Sequence, residues 1–334
     1  MSFLNLDKVR RDSYVCILNY KFISLFLIIY SGLLTSRIIF GEPIVCYGSG
    51  SSDYPSDSVS TSFCYMSGTF TGTMANHERE IHTTQIHNGG MDNHEKREHD
   101  YYQFMPLILA LMSIGFYVPR CIWLNAEKNL FSEIVQDLKA FLIDQNTKKE
   151  QLQNLATFIK HRRGSHKKLF MWHFICQILY IANLLSQVYH LNLLFSGDFL
   201  YYGVSRNMHV VFPKVTHCDL THYGMSGHVD SNPLTCFLPL NSLNDKVFLF
   251  IWHLMAVSLV LLLLNMLYTI IYMILPPLRN FVLKQKAGKK VEKRDVLRVL
   301  SGLDFYGKVS ESFFMEIVCQ NLSDDIVSEL FSMI

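Results

Sequence analysis

The stretch YYQFMPLILALMSIGFYVPRCIW, residues 101–123, opens with two tyrosines and a glutamine before a long apolar run that contains two prolines. This order suits a helix that crosses a membrane, because tyrosine rings favour the membrane–water interface and apolar side chains favour the bilayer core. Tyr101 and Tyr102 would then lie at one interface, where Gln103 can form a hydrogen bond with a neighbouring segment. Pro106 would be tolerated in the first helical turn, but it would kink a helix that begins at Tyr101, and such a kink is a candidate for gating motion.

The composition of the whole chain also indicates a membrane protein. Of its 334 residues, 50% are hydrophobic and 17% are charged, and the formal net charge is +2. Soluble domains carry about 25% charged residues. Four apolar runs reach the roughly 20 residues that a transmembrane helix needs, and they cover residues 22–40, 104–124, 169–195 and 247–275. A cleaved signal peptide is the alternative for the first run, but the run is long for a signal core and no small-x-small cleavage site follows it.

The distribution of lysine and arginine predicts the orientation of these spans, since cytoplasmic segments carry an excess of both residues. Six of them lie in segments 41–103 and 196–246, whereas 22 lie in segments 1–21, 125–168 and 276–334. We therefore expect two extracellular loops in the first pair of segments, a cytoplasmic loop at 125–168 and two cytoplasmic termini. The basic run KQKAGKKVEKR in the C-terminal segment is typical of a solvated segment that contacts anionic membrane lipids.

Four of the eight cysteines lie in the two predicted extracellular loops, where an oxidising environment permits disulfide bonds. Cys46 and Cys64 are separated by 17 residues, and so are Cys218 and Cys236. Three pairings are possible. If the two loops run antiparallel and side by side, the first cysteine of one meets the last of the other, which predicts Cys46–Cys236 and Cys64–Cys218. A zinc site is the weaker alternative, because these spacings are not of the short CxxC kind.

The same loops contain signals for a small α/β cap. FCYMSGTFTGT, residues 63–73, alternates enough to predict a short strand, and the segments around CDL and CFLPL in the second loop predict another. Five histidines lie close together in the first loop, at His77, His82, His87, His94 and His99. Spacings of five and seven do not place them on one helical face, so we expect a solvated loop rather than a metal site. Their titration near neutral pH would make the charge of this loop sensitive to mild acid.

The third apolar run carries five polar side chains within an arc of about 140° on a helix, namely His173, Gln177, Asn183, Gln187 and His190. Polar groups inside a membrane face protein or water rather than lipid, so these side chains either form hydrogen bonds between helices or line a water-filled path. The sequence contains no Walker, HExxH or GxSxG motif. Together these features predict passive permeation, with no enzymatic activity, no cofactor and no nucleic-acid partner.

The C-terminal stretch LDFYGKVSESFFMEIVCQNLSDDIVSELF has amphipathic helical periodicity, with Ser323 as a candidate N-cap. We expect it to form a small helical cytoplasmic domain with residues 125–168. The predicted fold class is an all-α membrane protein. It consists of a four-transmembrane-helix bundle with a small disulfide-linked α/β extracellular cap and a helical cytoplasmic domain.

Four stretches together resemble the innexin family, and they are LLTSRIIFGEPIVC (33–46), FCYMSGTFT (63–71), YYQFMPLILALMSIGFYVPRCIW (101–123) and FPKVTHCDLTHYG (212–224). The family motif of the second span corresponds to Tyr101, Tyr102, Gln103 and Pro106, although the family usually has tryptophan where this chain has Phe104. The resemblance implies a gap-junction channel in the plasma membrane. Its hemichannels would be homo- or hetero-oligomers of innexin subunits that dock between adjacent cells through their outer loops.

The resemblance also implies that the N-terminal segment folds into the pore mouth and that the first span contributes to the pore wall. The candidate pore-mouth residues are Ser2, Phe3, Asn5, Asp7, Lys8, Arg10 and Arg11. The basic residues among them either face the lumen and bias ion selectivity or only determine topology.

Two other classes of function stay open at this point. One is an unpaired, pannexin-like hemichannel that releases small molecules across a single membrane, and the other is a four-span adhesion or scaffold protein. The predicted extracellular loops contain no Asn-x-Ser/Thr sequon. This favours docking between cells, because glycans on these loops would obstruct it.

Overall fold

The structure is a computed structural model, and it describes residues 9–48, 57–73, 95–139, 145–204, 208–223, 227–288 and 291–334. The helices are α1 (Tyr14–Ile17), a π-helical turn (Leu18–Ile23), α2 (Ser24–Phe40), α3 (Asp57–Ser67), α4 (Tyr101–Glu127), α5 (Leu130–Lys139), α6 (Gln145–His161), α7 (Lys167–Leu194), α8 (Met208–Val211), α9 (Pro239–Ile274), α10 (Pro276–Ala287), α11 (Lys293–Leu300), α12 (Phe305–Asn321) and α13 (Asp324–Met333). The strands are β1 (Val45–Tyr47), β2 (Thr69–Thr73), β3 (Glu95–His99), β4 (Val215–Tyr223) and β5 (Val229–Phe237).

Four helical stretches are long and apolar enough to cross a membrane, and they are Tyr14–Phe40, Tyr101–Glu127, Lys167–Leu194 and Pro239–Ile274. The first consists of α1, the π-helical turn and α2, and the others are α4, α7 and α9. Each stretch contains most of one apolar run predicted from the sequence and extends beyond it into flanking polar residues. The last one ends before Pro276, which begins α10 in the position where a helix does not need the missing N–H.

The chain forms two compact units, and each is described by itself. The first unit consists of Met1–Leu25, Ser113–Ser186 and Ala256–Ile334, and the second consists of Phe26–Met112 and Gln187–Met255. The boundaries between the units fall inside the four long helical stretches.

The second unit contains a disulfide-linked cap, which we define as α3 and the five strands. The strands form one antiparallel sheet in the order β1-β5-β4-β2-β3. Its core combines buried aliphatic side chains such as Ile44, Leu220 and Leu234 with four buried cysteines. The expected fold class is therefore confirmed: the protein is mostly helical, with four candidate membrane helices and a small disulfide-linked sheet.

The prediction of a strand across residues 63–73 is wrong for its first half. Residues up to Ser67 belong to α3, and β2 begins only at Thr69. Gly68 lies between them with φ +86°, which is the left-handed conformation that commonly ends a helix and that glycine adopts without steric cost. The alternating pattern therefore describes a strand only after this glycine.

The first unit contains a helical domain in which α5, α6, α11, α12 and α13 share one hydrophobic core. Phe131, Leu152, Phe314 and Leu330 are completely buried in it. The ring of Phe314 stacks on His166 at a centroid distance of 4.0 Å and lies 5.5 Å from the ring of Phe131. The expected packing of the C-terminal helices against residues 125–168 is thus present.

Helix α13 begins directly after Ser323, as the sequence predicts, but the predicted capping hydrogen bond is not formed. Ser323 occupies the N-cap position, yet its side chain makes no capping hydrogen bond. Asp324 and Asp325 fall in the first turn, where negative charge interacts favourably with the helix dipole. The two acidic residues therefore supply the favourable electrostatics at this helix start.

Pro106 does not lie in the first turn of its helix. Because α4 begins at Tyr101, Pro106 is its sixth residue and cannot donate the usual hydrogen bond to the carbonyl of Tyr102. The carbonyl of Pro106 itself accepts a hydrogen bond of 2.7 Å from the hydroxyl of Ser31 on α2. Of the two interpretations of this proline, the one that places it inside the helix agrees with the structure.

We predict that the Phe314→Ala variant lowers the free energy of unfolding by roughly 3–5 kcal/mol, because it leaves a cavity in the core of the helical domain. Thermal unfolding of the purified chain in detergent measures this loss. The matched control is Tyr306→Ala on the same helix, where the side chain is 64% exposed and the expected change is below about 1 kcal/mol. Equal effects of the two substitutions would contradict the assignment of Phe314 to the core.

Candidate functional site

Two disulfide bonds cross-link the cap. Cys46 is joined to Cys236, and Cys64 is joined to Cys218, which is the pairing expected for antiparallel loops. Cys46 and Cys236 are also direct partners in the register of β1 and β5. Sulfur atoms of both disulfides lie within 4.8 Å of one another, but covalently paired sulfurs are not available as thiolate ligands for zinc. The cysteines therefore tie the two predicted loops into one covalent structure.

The tyrosine–glutamine motif at the start of α4 binds the end of α3. The hydroxyl of Tyr102 donates to the carbonyl of Cys64 at 3.2 Å, and the Gln103 amide donates to the carbonyls of Tyr65 and Met66. The last four carbonyls of a helix have no partner within the helix. Tyr102 and Gln103 satisfy three of them, so the motif fastens α4 directly to the helix that carries Cys64.

Tyr101 lies in a buried hydrogen-bond network rather than exposed at an interface, since its side chain is only 8% exposed. Its hydroxyl accepts a hydrogen bond of 2.8 Å from the Asn241 amide, which also donates to the carbonyl of Pro213. Asn244 donates to Asn241 and accepts from the hydroxyl of Tyr30 at 2.6 Å. The network connects α2, α4 and α9, and its asparagines were not singled out by the sequence analysis because Asn241 and Asn244 precede the fourth apolar run.

His99 is buried at the end of β3, with 2% exposure. Its Nε2 lies 2.8 Å from the hydroxyl of Thr71. Burial, helped by the positive charge of Arg97, lowers the pKa of His99 from 6.5 to about 4. This histidine therefore stays neutral in mild acid, while His77, His82, His87 and His94 lie outside the described residues.

Within the first unit, backbone and side-chain contacts hold the N-terminal segment against the helices. The Asn321 amide forms two hydrogen bonds with the backbone of Arg10, one with its N–H at 2.7 Å and one with its carbonyl at 2.6 Å. Arg11 pairs with Glu127 at 3.2 Å, and both side chains are buried. We name the Arg10–Asn321 pair of hydrogen bonds the N-terminal latch.

A second ion pair continues this arrangement, because Asp12 contacts Arg120 in the same unit and both side chains are buried. Arg120 and Glu127 were missed as partners by the sequence analysis. Both are charged residues at one end of an otherwise apolar helix, and opposite charges occur in the N-terminal segment. The other candidate pore-mouth residues, Ser2, Phe3, Asn5, Asp7 and Lys8, lie outside the described residues.

The polar face of α7 contributes to hydrogen bonding between helices and also to a cavity. The Gln177 amide donates to the hydroxyl of Thr269 on α9 at 3.0 Å and lies 3.0 Å from the Nε2 atom of His173. Both Gln177 and His173 line a cavity of about 270 Å³ in the first unit. Asn183, Gln187 and His190 each take part in at least one further interaction.

The chain matches one protein family over nearly its whole length. A family model described as Innexin matches residues 12–334. The chain is 24% identical to Innexin shaking-B of Drosophila melanogaster, with 98% of this chain and 92% of that protein covered. It is 28% identical to Innexin inx2 of Schistocerca americana (89% and 86% covered) and 27% identical to Innexin inx4 of Anopheles gambiae (98% and 88% covered).

We predict that acid destabilises the folded chain through His99. In the folded state this residue binds a proton only near pH 4, whereas in the unfolded state it does so near pH 6.5. The unfolded state therefore gains the proton first, and the free energy of unfolding falls as the pH falls from about 6.5 to about 4, by up to about 3 kcal/mol. Unfolding measured across this pH range should show a smaller slope for His99→Gln.

The matched control for this experiment is His217→Gln, which changes an exposed histidine in the neighbouring strand β4. It should leave the slope unchanged. If both variants gave the slope of the unmodified chain, burial of a neutral His99 would not be a source of acid sensitivity.

Proposed function

The chain belongs to the innexin family, whose members are gap-junction channel subunits, and we propose that its hemichannels dock between adjacent cells and pass ions and small molecules. Family membership favours this function over an unpaired hemichannel and over a four-span adhesion protein. Innexins form channels and are not enzymes, so the absence of an enzymatic motif in the sequence agrees with this assignment.

The observation that carries the docking proposal is the disulfide-linked cap. Docking through two loops requires them to hold one relative position, and cross-links between distant residues restrict the loops strongly. The cap also leaves Tyr47, Val229 and Phe237 about half exposed or more. Exposed apolar side chains on one small sheet support a protein partner at this surface.

We propose the topology that the basic residues favour. The spans are 22–40, 104–124, 169–195 and 247–275, the loops 41–103 and 196–246 are extracellular, and segments 1–21, 125–168 and 276–334 are cytoplasmic. The cap then faces the neighbouring cell, and the helical domain faces the cytoplasm. The disulfides in the cap support this orientation, because they form and persist on the oxidising side of the membrane.

The exposed apolar surface of the first span supports subunit assembly. Leu25, Ile28, Ile29 and Leu33 of α2 are between 37% and 58% exposed in the single chain. In a membrane such side chains contact lipid or other subunits. We propose that innexin subunits, identical or different, surround a pore to whose wall the first span contributes.

The N-terminal segment is proposed to line the pore mouth from Ser2 to about Asp12. The N-terminal latch and the Arg11–Glu127 pair support a fixed position for its end at the protein wall. Because the charge of Arg11 is paired with a buried carboxylate, Arg11 acts as an anchor of the segment. The side chain of Arg10 lines the cavity of the first unit, so any effect of charge on selectivity would then come from Asp7 and Lys8.

Paired-cell recording with dye transfer tests the docking proposal. We expect junctional current and dye transfer between two cells that both express the chain. Replacing Cys64 and Cys218 together by serine should abolish coupling, because the cap loses one of its cross-links. Surface biotinylation controls for delivery to the membrane. Current across a single membrane without coupling between cells, from channels that reach the surface, would contradict docking.

We further predict that Asn321→Ala reduces junctional conductance. The substitution removes both hydrogen bonds of the N-terminal latch, which increases the population of the undocked segment by on the order of tenfold, and an undocked segment can enter the permeation path. The comparison is with Ser323→Ala, which changes an exposed side chain without a capping hydrogen bond. Equal conductance per surface channel for Asn321→Ala and the unmodified chain would exclude the latch as a determinant of permeation.

A further inference from the structure

The cavity of about 270 Å³ in the first unit has a wall of mixed apolar and polar side chains, in which cationic groups outnumber acidic ones. It lies among the N-terminal segment, α7, α9, α10 and α12, and its lining includes Arg10, Arg11, Lys286, Gln177, Asn265 and Glu316. Ligand pockets typically measure about 300–1,000 Å³. This cavity is close to the lower limit, so it suits a small polar group rather than a whole lipid or nucleotide.

Two of the charged side chains in the wall are already neutralised by residues outside the cavity. Arg11 pairs with Glu127, and Asp12 pairs with Arg120. Each ion pair is neutral, so neither contributes net charge to the cavity. The charge that a ligand meets is therefore set by the remaining ionisable groups.

Among the described residues of the wall, the remaining charged groups are Arg10, Lys286 and Glu316. Arg10 lies with its guanidinium 3.7 Å from the centroid of the Tyr14 ring. Burial raises the pKa of Glu316, and the charge of Lys286 opposes this effect. One carboxylate with a raised pKa cannot cancel two cations, so the cavity carries net positive charge and favours an anion.

Four side chains that line the cavity, Arg11, Gln177, Asn265 and Tyr272, each have a buried polar atom without a hydrogen-bond partner among the described residues, and the first two bear on an anion. Gln177 is only 4% exposed, and its amide NH₂ is bonded to Thr269 while its carbonyl oxygen accepts nothing. The Nε–H of Arg11 also lacks an acceptor, although the other end of its guanidinium binds Glu127. Buried polar groups are nearly always paired. An anion that carries both acceptor oxygens and a hydroxyl would satisfy both atoms.

The wall of the cavity reaches the surface at two tyrosines. Tyr14 is 71% exposed and Tyr268 is 44% exposed, and both belong to stretches that can cross a membrane. Basic pockets between membrane helices on the cytoplasmic side are suited to lipid phosphates. A headgroup in the cavity could therefore remain attached to acyl chains in the bilayer.

We propose that this cavity binds the phosphate group of an anionic membrane lipid, with Arg10 and Lys286 as its main cationic contacts. The acyl chains leave the cavity past Tyr14 and Tyr268. The assignment of this lipid to the cytoplasmic leaflet rests on the proposed topology. The same phosphate chemistry is also present in soluble phosphate esters, so the experiment distinguishes the two sources.

Thermal unfolding of the purified full chain in detergent tests the site. Three compounds are titrated separately: dioctanoyl phosphatidic acid, glycerol 3-phosphate, which has the phosphate without acyl chains, and dioctanoyl phosphatidylcholine, which has the chains without net charge. We expect phosphatidic acid to raise the Tm in a saturable manner and the other two to have little effect. Lys286→Gln and Arg10→Gln should each weaken the apparent affinity by on the order of tenfold.

Lys284→Gln is the matched control, because Lys284 is exposed on the same helix as Lys286 and does not line the cavity. It should bind phosphatidic acid as the unmodified chain does. The Tm of each variant without ligand reports whether its fold is intact. The N-terminal latch should survive in Arg10→Gln, since it uses only the backbone of that residue.

Each of the following outcomes would overturn the proposed site or the lipid as its ligand. Equal stabilisation by phosphatidylcholine, or unchanged affinity in Lys286→Gln and Arg10→Gln, would overturn the site. Stabilisation by glycerol 3-phosphate as strong as that by phosphatidic acid would overturn the lipid as the source of the phosphate. The binding measurement needs no docked cells, so its failure would leave the coupling experiment unaffected, and a failure of coupling would leave the binding result unaffected.

Discussion

The interior of a bilayer offers no water, so polar groups of the four long helical stretches that face neither a cavity nor a pore need partners within the protein. Several of these partners are short polar side chains. The hydroxyls of Ser24 and Ser113 lie 2.9 Å apart, and each also donates to the backbone carbonyl of the other residue. Asn19, in the π-helical turn, accepts a hydrogen bond of 2.8 Å from Ser258. Hydrogen bonds and close packing hold such helices together where the hydrophobic effect contributes little.

The same requirement explains how the cap is joined to a helix. The carbonyls at the end of α3 need hydrogen-bond donors, and the motif that opens α4 supplies them through Tyr102 and Gln103. Cys64, which forms the disulfide with Cys218, is on the same helix. A covalent link and a set of hydrogen bonds therefore act on one short element. A displacement of α3 would therefore have to break bonds to α4, to β4 or to both.

Features with a local or regular signature could be predicted from the sequence. Apolar runs located the four helical stretches that are long and apolar enough to cross a membrane, and equal cysteine spacing led to the observed pairs. The limit between α3 and β2 was misjudged because one residue, Gly68, changes the backbone direction inside an alternating pattern. The partners of Arg11 and Asp12 were not predictable, since more than a hundred residues separate them from Glu127 and Arg120 and no spacing rule connects such distant charges.

Arg10 connects the latch with the cavity, and this has a thermodynamic consequence. Its backbone is bonded to Asn321 in the C-terminal helical domain, while its side chain lines the cavity. A ligand that binds the Arg10 side chain prefers the docked position of the N-terminal segment, because undocking would move this contact away. By linkage, a second ligand that raises the affinity of the cavity by favouring the docked segment would itself bind more tightly, by the same factor, when the cavity is occupied. Occupation of the proposed phosphate site and the position of the N-terminal segment would therefore be one coupled equilibrium.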